Sequence, residues 1–487
     1  MSLTIYNTLT RRKETFQPLE PGKVKMYCCG VTVYDYCHLG HARSYIVWDT
    51  VRRYLKFSGY EVHYLQNFTD IDDKILNRAN AENTSMEEVS QKYIQAYFED
   101  IRRLNVIDAS EYPRVTENIT SIHQLIAELE RKDYAYAVNG DVYYKTDNFS
   151  EYGKLSGKQL EDMQAGASGR VDLEDLSGKK KHKPSDFALW KAAKPGEPAW
   201  ESPWGMGRPG WHIECSAMIR ANLGETIDIH GGGGDLVFPH HENEIAQSEV
   251  VTGKPLANYW MHNGMVTVDG VKMSKSLSNF TTIRELLDRP IDPMVIRLFV
   301  LQGHYRKPLD FTEDAISSAQ NSWETLKTGL LFQHQYGEKL GWKETNLNPK
   351  TELLNSEINS FQTAMDDDFN TPGGLAVLFE LAKELRRNAN IIIHEGSTEI
   401  PSEKLKQMWQ TLVTLAKVFG LEILSPAENK NASEVISNAQ ILVLVEQRQD
   451  ARKNRNFALS DSIRNELQAV GVNLIDQPNG ETRWYRN

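Results

Sequence analysis

Two histidines flank a glycine near the start of a predicted helix, and this arrangement suits the binding of an anion. His38 and His41 lie on either side of Gly40, between a strand predicted over residues 24–29 and a helix predicted over residues 40–57. A helix N-terminus offers free N–H groups and a positive dipole to a phosphate. Taken alone, such a motif is more often a turn with two surface histidines.

Four side chains of the types that bind zinc occur in three distant segments. Cys29 ends the first predicted strand, Cys215 lies far along the chain, and His240 and Glu244 share one face of a helix predicted to begin at Pro239. Thiolate, imidazole and carboxylate together form a set that zinc accepts. From spacing alone, a metal site and unrelated polar residues are equally supported, because the sequence contains no C-x-x-C pair.

Neighbours of these four residues bear on the metal hypothesis. His241 and Glu242 are predicted to point away from the helix face that carries the ligands. Ile245 stands where an H-E-x-x-H motif needs its second histidine, which argues against a zinc hydrolase of that type.

A glycine-led segment with lysines and hydroxyl groups suits the closing of a loop over a polyphosphate. This segment, the lysine loop, runs from Gly270 to Ser276 and includes Lys272, Ser274 and Lys275. A lysine in a mobile loop acts as a movable point charge. The alternative is a solvated basic turn.

A run of glycines lies between a strand predicted over residues 226–230 and the histidine-containing helix. Gly232 in this run leaves room for a ligand against bare backbone, and Asp235 follows it. The run does not match G-x-x-x-x-G-K-[ST], so it does not predict a Walker-type loop, and a flexible linker is the alternative.

The elements that must position these residues alternate between strand and helix in the first half of the chain. Predicted strands over residues 24–29, 61–68 and 226–230 with intervening helices indicate a parallel sheet with crossover connections, an α/β fold. A second helix is predicted to begin at Thr69 and Asp70. After about residue 281 the pattern is mostly helical to the end.

Composition predicts a cytoplasmic protein of several domains. The chain has 487 residues, enough for roughly two to four domains, and its net charge of −11 excludes a uniformly basic nucleic-acid coat protein. Four cysteines are too few for a disulfide scaffold and indicate a reducing compartment. The sequence shows neither a signal peptide nor an apolar run of about 18 residues, so no membrane association is expected.

The histidine and lysine motifs together resemble the paired signatures of class I aminoacyl-tRNA synthetases. His38-Leu39-Gly40-His41 and Lys272-Met273-Ser274-Lys275-Ser276 are far more specific as a pair than either is alone. Essentially the whole chain is similar to the cysteinyl-tRNA synthetase family, most clearly in residues 29–35, 69–74, 210–218, 238–244 and 365–372. Leu39 stands where the family has isoleucine, which is an apolar exchange.

The resemblance implies a Rossmann-type enzyme that ligates cysteine to its tRNA through a cysteinyl-adenylate. The family's zinc ligands fall on Cys29, Cys215, His240 and Glu244. Cys28 would replace Cys29 if the register slipped by one residue, but Gly30 directly after Cys29 matches the family pattern and favours Cys29. Zinc is expected to bind the substrate thiolate and exclude serine. The expected partners are ATP with Mg²⁺, L-cysteine and tRNA, and the expected state is a monomer.

The resemblance also assigns roles to individual residues. The catalytic groups are expected to be His38, His41, Lys272 and Lys275. The residues expected to bind the nucleotide are Gly40, His41, Gly232, Asp235, Lys272, Ser274 and Lys275. Thr69, Trp211 and Asp235 are expected to line the cysteine pocket, with an N-cap threonine and a packing tryptophan as the alternatives for the first two.

An order of domains follows from the same resemblance. The expected order is residues 1–120 for the first half of the Rossmann catalytic domain, 121–205 for an inserted connective domain that meets the tRNA acceptor end, 206–270 for the second catalytic half, 271–320 for the signature-loop and stem-contact region, 321–425 for a helical bundle and 426–487 for an anticodon-binding domain. The C-terminal region is expected to be all-helical, with Trp484 and Tyr485 able to stack on unpaired bases.

Three other interpretations stay open at this point. A ligase that transfers activated cysteine to an amino-sugar would have no tRNA domain, and the long helical C-terminal part argues against it. A non-catalytic relative should have lost a signature histidine or lysine, and all four are present. A zinc hydrolase is disfavoured by the order of the ligands.

Overall fold

The computed structural model describes residues 2–158, 181–273, 279–342, 352–423, 438–470, 472–476 and 482–486. The chain divides into two compact units. Unit 1 comprises Met1–Pro293, Phe299–Ala315 and Thr363–Pro372, and unit 2 comprises Met294–Leu298, Ile316–Gln362 and Gly373–Asn487.

The first part of the chain mixes strands and helices. In chain order they are β1 (Thr4–Asn7), β2 (Arg12–Thr15), β3 (Lys23–Thr32), α1 (Leu39–Phe57), β4 (Glu61–Thr69), α2 (Asp73–Glu82), α3 (Met86–Arg103), α4 (Ile119–Arg131), β5 (Ala135–Val138), β6 (Asp141–Tyr144), β7 (Phe187–Ala192), β8 (Gly207–Pro209), α5 (Trp211–Asn222), β9 (Ile227–Gly233), α6 (Glu242–Thr252), β10 (Ala257–Asn263), β11 (Val266–Val268), β12 (Val271–Lys272), α7 (Ile283–Leu287), α8 (Pro293–Gln302) and β13 (Leu309–Phe311).

The second part is helical up to a final hairpin. Its elements are α9 (Glu313–Leu330), α10 (Phe332–Tyr336), α11 (Asn355–Met365), α12 (Thr371–Glu395), α13 (Ser402–Val418), α14 (Asn438–Lys453), α15 (Phe457–Ala469), β14 (Val472–Asp476) and β15 (Thr482–Arg486).

A parallel sheet forms the centre of unit 1. Four described strands lie in the order β10-β9-β3-β4, with Tyr27 of β3 opposite His230 of β9. The chain passes from β3 to β4 on one side, and β9 later pairs with the other side of β3, so the strand order reverses between β3 and β9. Ligands of open α/β sheets bind beyond the carboxyl ends of the strands at such a reversal. The prediction of an α/β fold with a parallel sheet is confirmed.

The start of the second helix differs from its prediction. Thr69 is still part of β4, and α2 begins at Asp73 with Asp72 as its N-cap, whose carboxylate accepts the Lys74 N–H at 2.9 Å. The Asp70 carboxylate instead accepts the N–H and the hydroxyl of Thr116. Because several acidic residues follow one another here, tertiary partners rather than local spacing select the cap.

A second sheet lies in the segment between the two halves of the parallel sheet. Strands β5, β6, β7 and β8 pair in that order and are antiparallel throughout. Strands β5, β6 and β7 lie within residues 121–205, the region expected to be an insertion, whereas β8 lies just beyond it, and the domain boundaries stay predictions.

A small sheet carries the hairpin that leads into the lysine loop. β11 pairs with β12 as an antiparallel hairpin and with β13 in parallel, with Val266 opposite Leu309. The β11–β12 hairpin, which leads to Lys272, is therefore fixed at its base by a strand from more than 40 residues further along the chain.

The described residues of unit 2 are helical as far as Ala469, but the expectation of an all-helical C-terminal region is wrong beyond that point. One side of α13 is buried through residues such as Leu405, Trp409 and Leu412. Beyond Ala469, β14 and β15 form a hairpin that the sequence analysis did not predict, and Val472 joins a small core with residues of α14 and α15. In the described part of the chain, no helix combines the length and apolar character that crossing a membrane requires.

Candidate active site and metal centre

One cavity lies at the carboxyl ends of β3, β4 and β9. Its volume is about 430 Å³. The predicted site residues among its lining are Cys29, His38, Gly40, His41, Thr69, Trp211, Cys215, Gly232, Asp235 and His240. Segments from widely separated parts of the sequence therefore meet at the reversal point of the sheet.

The two signature histidines form a capping box at the start of α1, with His38 just before the helix and His41 in its first turn. His38 is the N-cap of α1, and its Nδ1 accepts the Gly40 N–H at 3.0 Å. The Nδ1 of His41 accepts the His38 N–H at 3.1 Å. An imidazole nitrogen that accepts a backbone N–H carries no proton, so the proton of each neutral ring lies on Nε2. Burial, with the charges of His38 and Lys74, holds the pKa of His41 well below its usual value.

Gly40 is required by the close approach of the His38 ring. A Cβ at this position would lie 2.8 Å from Cε1 and 2.9 Å from Nδ1 of His38. Both distances are well below van der Waals contact. The glycine between the histidines thus allows the first ring to fold back onto the helix start.

A cluster of sulfur, nitrogen and oxygen donors forms the floor of the cavity. Cys29, Cys215, His240 and Glu244 each place one donor atom so that all four lie within 4.8 Å of one another. Cys29 Sγ is 3.8 Å from Cys215 Sγ and 3.5 Å from Glu244 Oε1. His240 Nε2 lies 3.0 Å from the same Oε1.

The Cys29 side chain reaches the cluster because the sheet is irregular at Gly30. The pairing register of β3 with β4 shifts between Cys28 and Val31. The Gly30 N–H donates to the side chain of Asn67, and a Cβ on Gly30 would lie 1.7 Å from the Asn67 carbonyl oxygen. Only glycine fits there, and the shift directs Cys29 to the cluster while the neighbouring Cys28 is fully buried elsewhere in the core.

The ionisable groups of the cluster shift one another's pKa values. A hydrogen bond from Cys29 lowers the pKa of Cys215 to about 6, against the opposing effect of burial. Burial opposes protonation of His240, but the Glu244 carboxylate and Cys215 outweigh it and raise the pKa of His240 to about 10. The buried carboxylate and thiolate therefore require positive charge beside them, which a protonated His240 supplies here.

Further histidines surround the cluster, and the sequence analysis assigned them no role. His230 Nε2 lies 2.8 Å from Glu244 Oε2. His241 Nε2 lies 3.3 Å from Cys29 Sγ, and its Nδ1 lies 2.8 Å from His262 Nε2. The Nδ1 atom of His262 in turn lies 2.8 Å from the Thr8 hydroxyl oxygen. Five of the 13 histidines fall between residues 212 and 262, and this density was the signal that could have found them.

The prediction that His241 points away from the ligands is wrong. Residues Val237–His241 form an irregular turn in which Phe238 has non-helical angles, and α6 begins only at Glu242. His241 and Glu244 are three residues apart, so a helical turn places the two side chains on the same side, and His241 Nε2 lies 4.0 Å from Glu244 Oε1. Cys29, His230, His241 and Glu244 form a second set of donors within the same distance of one another.

The three residues expected to line the cysteine pocket all reach the cavity. The Thr69 hydroxyl donates to Glu214 at 2.9 Å, so Thr69 is not a helix cap. The Trp211 ring stacks on His240 with centroids 4.3 Å apart. Asp235 is exposed on a single turn after β9. Lys74 also lines the cavity, near the ring of Tyr34, and was missed because its motif was used only for the family resemblance.

The lysine loop lies mostly outside the described residues, and with it Ser274 and Lys275. The backbone of Lys272 pairs with Thr267 in the β11–β12 hairpin. Met273 and Phe280, on either side of the loop, both line the cavity, and the Phe280 ring lies 5.1 Å from that of His38. The ends of the loop therefore lie beside the signature histidines.

Comparisons with known families cover most of the chain. Residues 15–321 match the family described as tRNA synthetases class I (C) catalytic domain, and residues 360–424 match the DALR domain. A cysteine–tRNA ligase of Trichormus variabilis is 67% identical over 100% of both chains, and one of Gloeothece citriformis is 63% identical over 100% of both.

Solved structures of low identity share the fold. A methionyl-tRNA synthetase of Mycobacterium tuberculosis in complex with methionyl-adenylate is 14% identical, with a TM-score of 0.56 over 82% of this chain and 89% of that one. A LeuRS of Agrobacterium radiobacter, in a ternary complex with tRNA, is 11% identical, with a TM-score of 0.58 over 83% of this chain and 84% of that one. Given the family matches and full-length relatives, the chain belongs to the cysteine–tRNA ligase family of class I tRNA synthetases.

Proposed function

We propose that this protein ligates L-cysteine to tRNA in two steps, with ATP as the energy source and zinc in the cluster of Cys29, Cys215, His240 and Glu244. The observation that carries the proposal is a single cavity lined by both the donor cluster and the signature histidines. Relatives of 60–67% identity over the full length are cysteine–tRNA ligases.

The donor set fits zinc. Donor atoms around a tetrahedral zinc ion lie about 3.3–3.8 Å apart, and the separations within the cluster are close to that range. The buried Tyr27 hydroxyl lies beside the sulfurs of Cys29 and Cys215, where it can donate a hydrogen bond to a thiolate. Zinc bound there supplies a Lewis acid that prefers a thiolate to a neutral hydroxyl.

We assign the ligand role to the set with Cys215 rather than to the set with His230. The Nε2 atom of His230 is engaged by the second oxygen of Glu244. Outer partners of this kind orient a ligating carboxylate and fix its charge. His241 and His262 would support Cys29 in the same way.

In the first step, a carboxylate oxygen of cysteine attacks the α-phosphorus of ATP, and pyrophosphate leaves. The protein positions the groups and stabilises charge. His38 and His41, with the proton of each on Nε2, can donate to phosphate oxygens while remaining neutral. Lys272 and Lys275 are assigned to the leaving phosphates. Gly232 and Asp235 are assigned to nucleotide binding, and Mg²⁺ accompanies ATP.

In the second step, a terminal ribose hydroxyl of tRNA attacks the activated carbonyl carbon, AMP leaves, and the cysteinyl ester forms. Thr69, Trp211 and Asp235 are assigned to cysteine binding, with the Asp235 carboxylate facing the ammonium group. The DALR domain and the remaining C-terminal residues are assigned to tRNA. A cytoplasmic location and a monomeric state stay predictions.

Charging of tRNA tests the proposal. Zinc-loaded protein, ATP and labelled cysteine should produce base-labile cysteinyl-tRNA from total tRNA, together with cysteine-dependent ATP–pyrophosphate exchange. Exchange without charging would favour a ligase that transfers cysteine to another acceptor, such as an amino-sugar. Absence of both activities would contradict the proposal.

A further inference from the structure

A buried arginine joins α1 to the segments that lead into the small sheet. Here α1, which begins at the signature histidines, is called the signature helix, and the β11–β12 hairpin, which ends at Lys272, is called the lysine hairpin. Arg43, in the first turns of α1, is 1% exposed. Its Nη1 donates to the Met265 carbonyl at 3.0 Å, and its Nη2 donates to the carbonyls of Tyr305, at 3.0 Å, and Lys307. Met265 precedes β11, and the other two residues precede β13, so one guanidinium holds the segments that lead into two strands of the small sheet.

These two segments are also joined to each other. The Gly264 N–H donates to the Tyr305 carbonyl at 2.8 Å, and the Leu309 N–H donates to the Met265 carbonyl at 3.0 Å. The Tyr305 carbonyl thus accepts hydrogen bonds from both Arg43 and Gly264. The position of residues 304–307 therefore sets where the base of the lysine hairpin meets the signature helix.

A fully buried carboxylate holds residues 304–307 from the other side. Asp368 Oδ1 accepts the Tyr305 hydroxyl at 2.7 Å and the Tyr6 N–H at 2.8 Å, and Oδ2 accepts Arg306 Nε at 2.7 Å. His304 Nε2 lies 3.6 Å from Oδ2. Hydrogen bonds of an ionised acceptor in a buried site are strong and directional.

The segment around Asp368 also grips the far end of the signature helix. Tyr54 of α1 donates its hydroxyl to Asp366 at 2.6 Å, and its ring packs edge-on against Phe369. Asp368 and Phe369 both have left-handed backbone angles, with φ of 60° and 52°. Non-glycine residues adopt such angles where surrounding contacts fix them, and such strain is common at functional sites.

We propose that Asp368 is a positioning residue for adenylate formation: through Tyr305 and Arg306 it fixes the carbonyls that hold Arg43, and so sets His38 and His41 relative to the lysine hairpin. The proposal rests on the proposed function, because it concerns the step that both signatures share. Asp368 lies outside the lining of the cavity, so it acts through other residues. Displacement of reacting groups by about 1 Å costs on the order of a hundredfold in rate.

The Asp368→Asn variant tests this role. It keeps the shape but removes the charge, and its amide places N–H donors against Arg306 or Tyr305. We expect kcat of cysteine-dependent ATP–pyrophosphate exchange to fall about 10- to 100-fold, while KM for cysteine stays within about twofold. A role limited to stability would lower the amount of folded enzyme and leave kcat per folded molecule unchanged.

Asp228→Asn is the matched control. Asp228 is 1% exposed, and its carboxylate accepts the N–H groups of Leu19 and Lys25 at 2.6 and 2.7 Å, near the amino end of β9. It should lose comparable stability and keep its kcat within about twofold. A kcat loss in the control equal to that of Asp368→Asn would overturn the proposal.

Tyr305→Phe provides a second variant that keeps the carboxylate. It removes one hydrogen bond to Asp368 and should lower kcat about threefold to tenfold, and the double variant should be no slower than Asp368→Asn alone because both act through one contact. Fully additive losses, or a normal kcat in either folded single variant, would refute the positioning role. Failure of the proposed function would appear instead as absence of exchange in the unmodified protein.

Discussion

Replacing Gly40 with alanine should separate catalysis from stability. The new Cβ would lie 2.8 Å from His38 Cε1 and 2.9 Å from Nδ1, whereas carbon atoms rest at about 3.5 Å or more. The ring must therefore retreat by roughly 0.6 Å, which breaks the 3.0 Å bond from the Gly40 N–H to Nδ1. Since misplacement by about 1 Å costs on the order of a hundredfold, kcat of exchange should fall roughly tenfold or more.

Stability should hardly change in the same variant. Alanine is favoured over glycine inside a helix by about 1 kcal/mol, and loss of the His38 cap costs about the same. The assay is ATP–pyrophosphate exchange with the KM values of cysteine and ATP, alongside thermal unfolding and zinc content. A kcat within about twofold of the unmodified protein would refute the steric argument, and so would a rate loss fully explained by unfolding.

The remaining predictions concern the metal cluster, pH and the C-terminal hairpin. Cys215→Ser should reduce zinc content and raise KM for cysteine at least about tenfold more than KM for ATP, and an equal rise would contradict the role of the cluster in cysteine binding. Burial, His38 and Lys74 lower the pKa of His41, so between pH 6.5 and 5.5 the unfolded chain gains a proton at this residue that the folded chain does not. The free energy of unfolding should therefore fall by up to about 1 kcal/mol as the pH drops. Urea unfolding at the two pH values measures this change, and His41→Gln should abolish it. Arg448 is buried and donates to both oxygens of Asp476 at 2.8 and 3.0 Å; Arg448→Leu should loosen the final hairpin and reduce tRNA charging while leaving exchange intact, and equal loss of both activities would argue against a separate tRNA role.

The parts of the fold with regular local patterns were predictable from the sequence. The helix predicted over residues 40–57 is found as Leu39–Phe57, and the strand predicted over residues 61–68 is found as Glu61–Thr69. Apolar side chains recur at helical spacing in α1, at Val47, Val51, Tyr54 and Leu55, whereas the last six residues of β4 are all buried. The final hairpin was missed because its strands are short and one of its anchors is an ion pair to Arg448 of a preceding helix.

The candidate site was predictable in its residue types but not in its surroundings. Cys29, Cys215, His240 and Glu244 come together as the ligand chemistry suggested. The i, i+3 spacing of His241 and Glu244 allows their approach, but the contact of His241 with Cys29 depends on the tertiary fold. Cys29 was preferred to Cys28 because Gly30 follows it as in the family pattern, and in the structure Cys29 joins the cluster while Cys28 is fully buried.

The relation between the metal cluster and amino-acid choice is tested most directly by exchange with two amino acids side by side. Zinc-loaded protein should catalyse ATP–pyrophosphate exchange with cysteine, while serine should give a kcat/KM lower by on the order of a thousandfold or more, because a hydroxyl cannot replace the thiolate at the cluster. Comparable exchange with both amino acids, or no exchange with cysteine, would contradict the proposed role of the cluster.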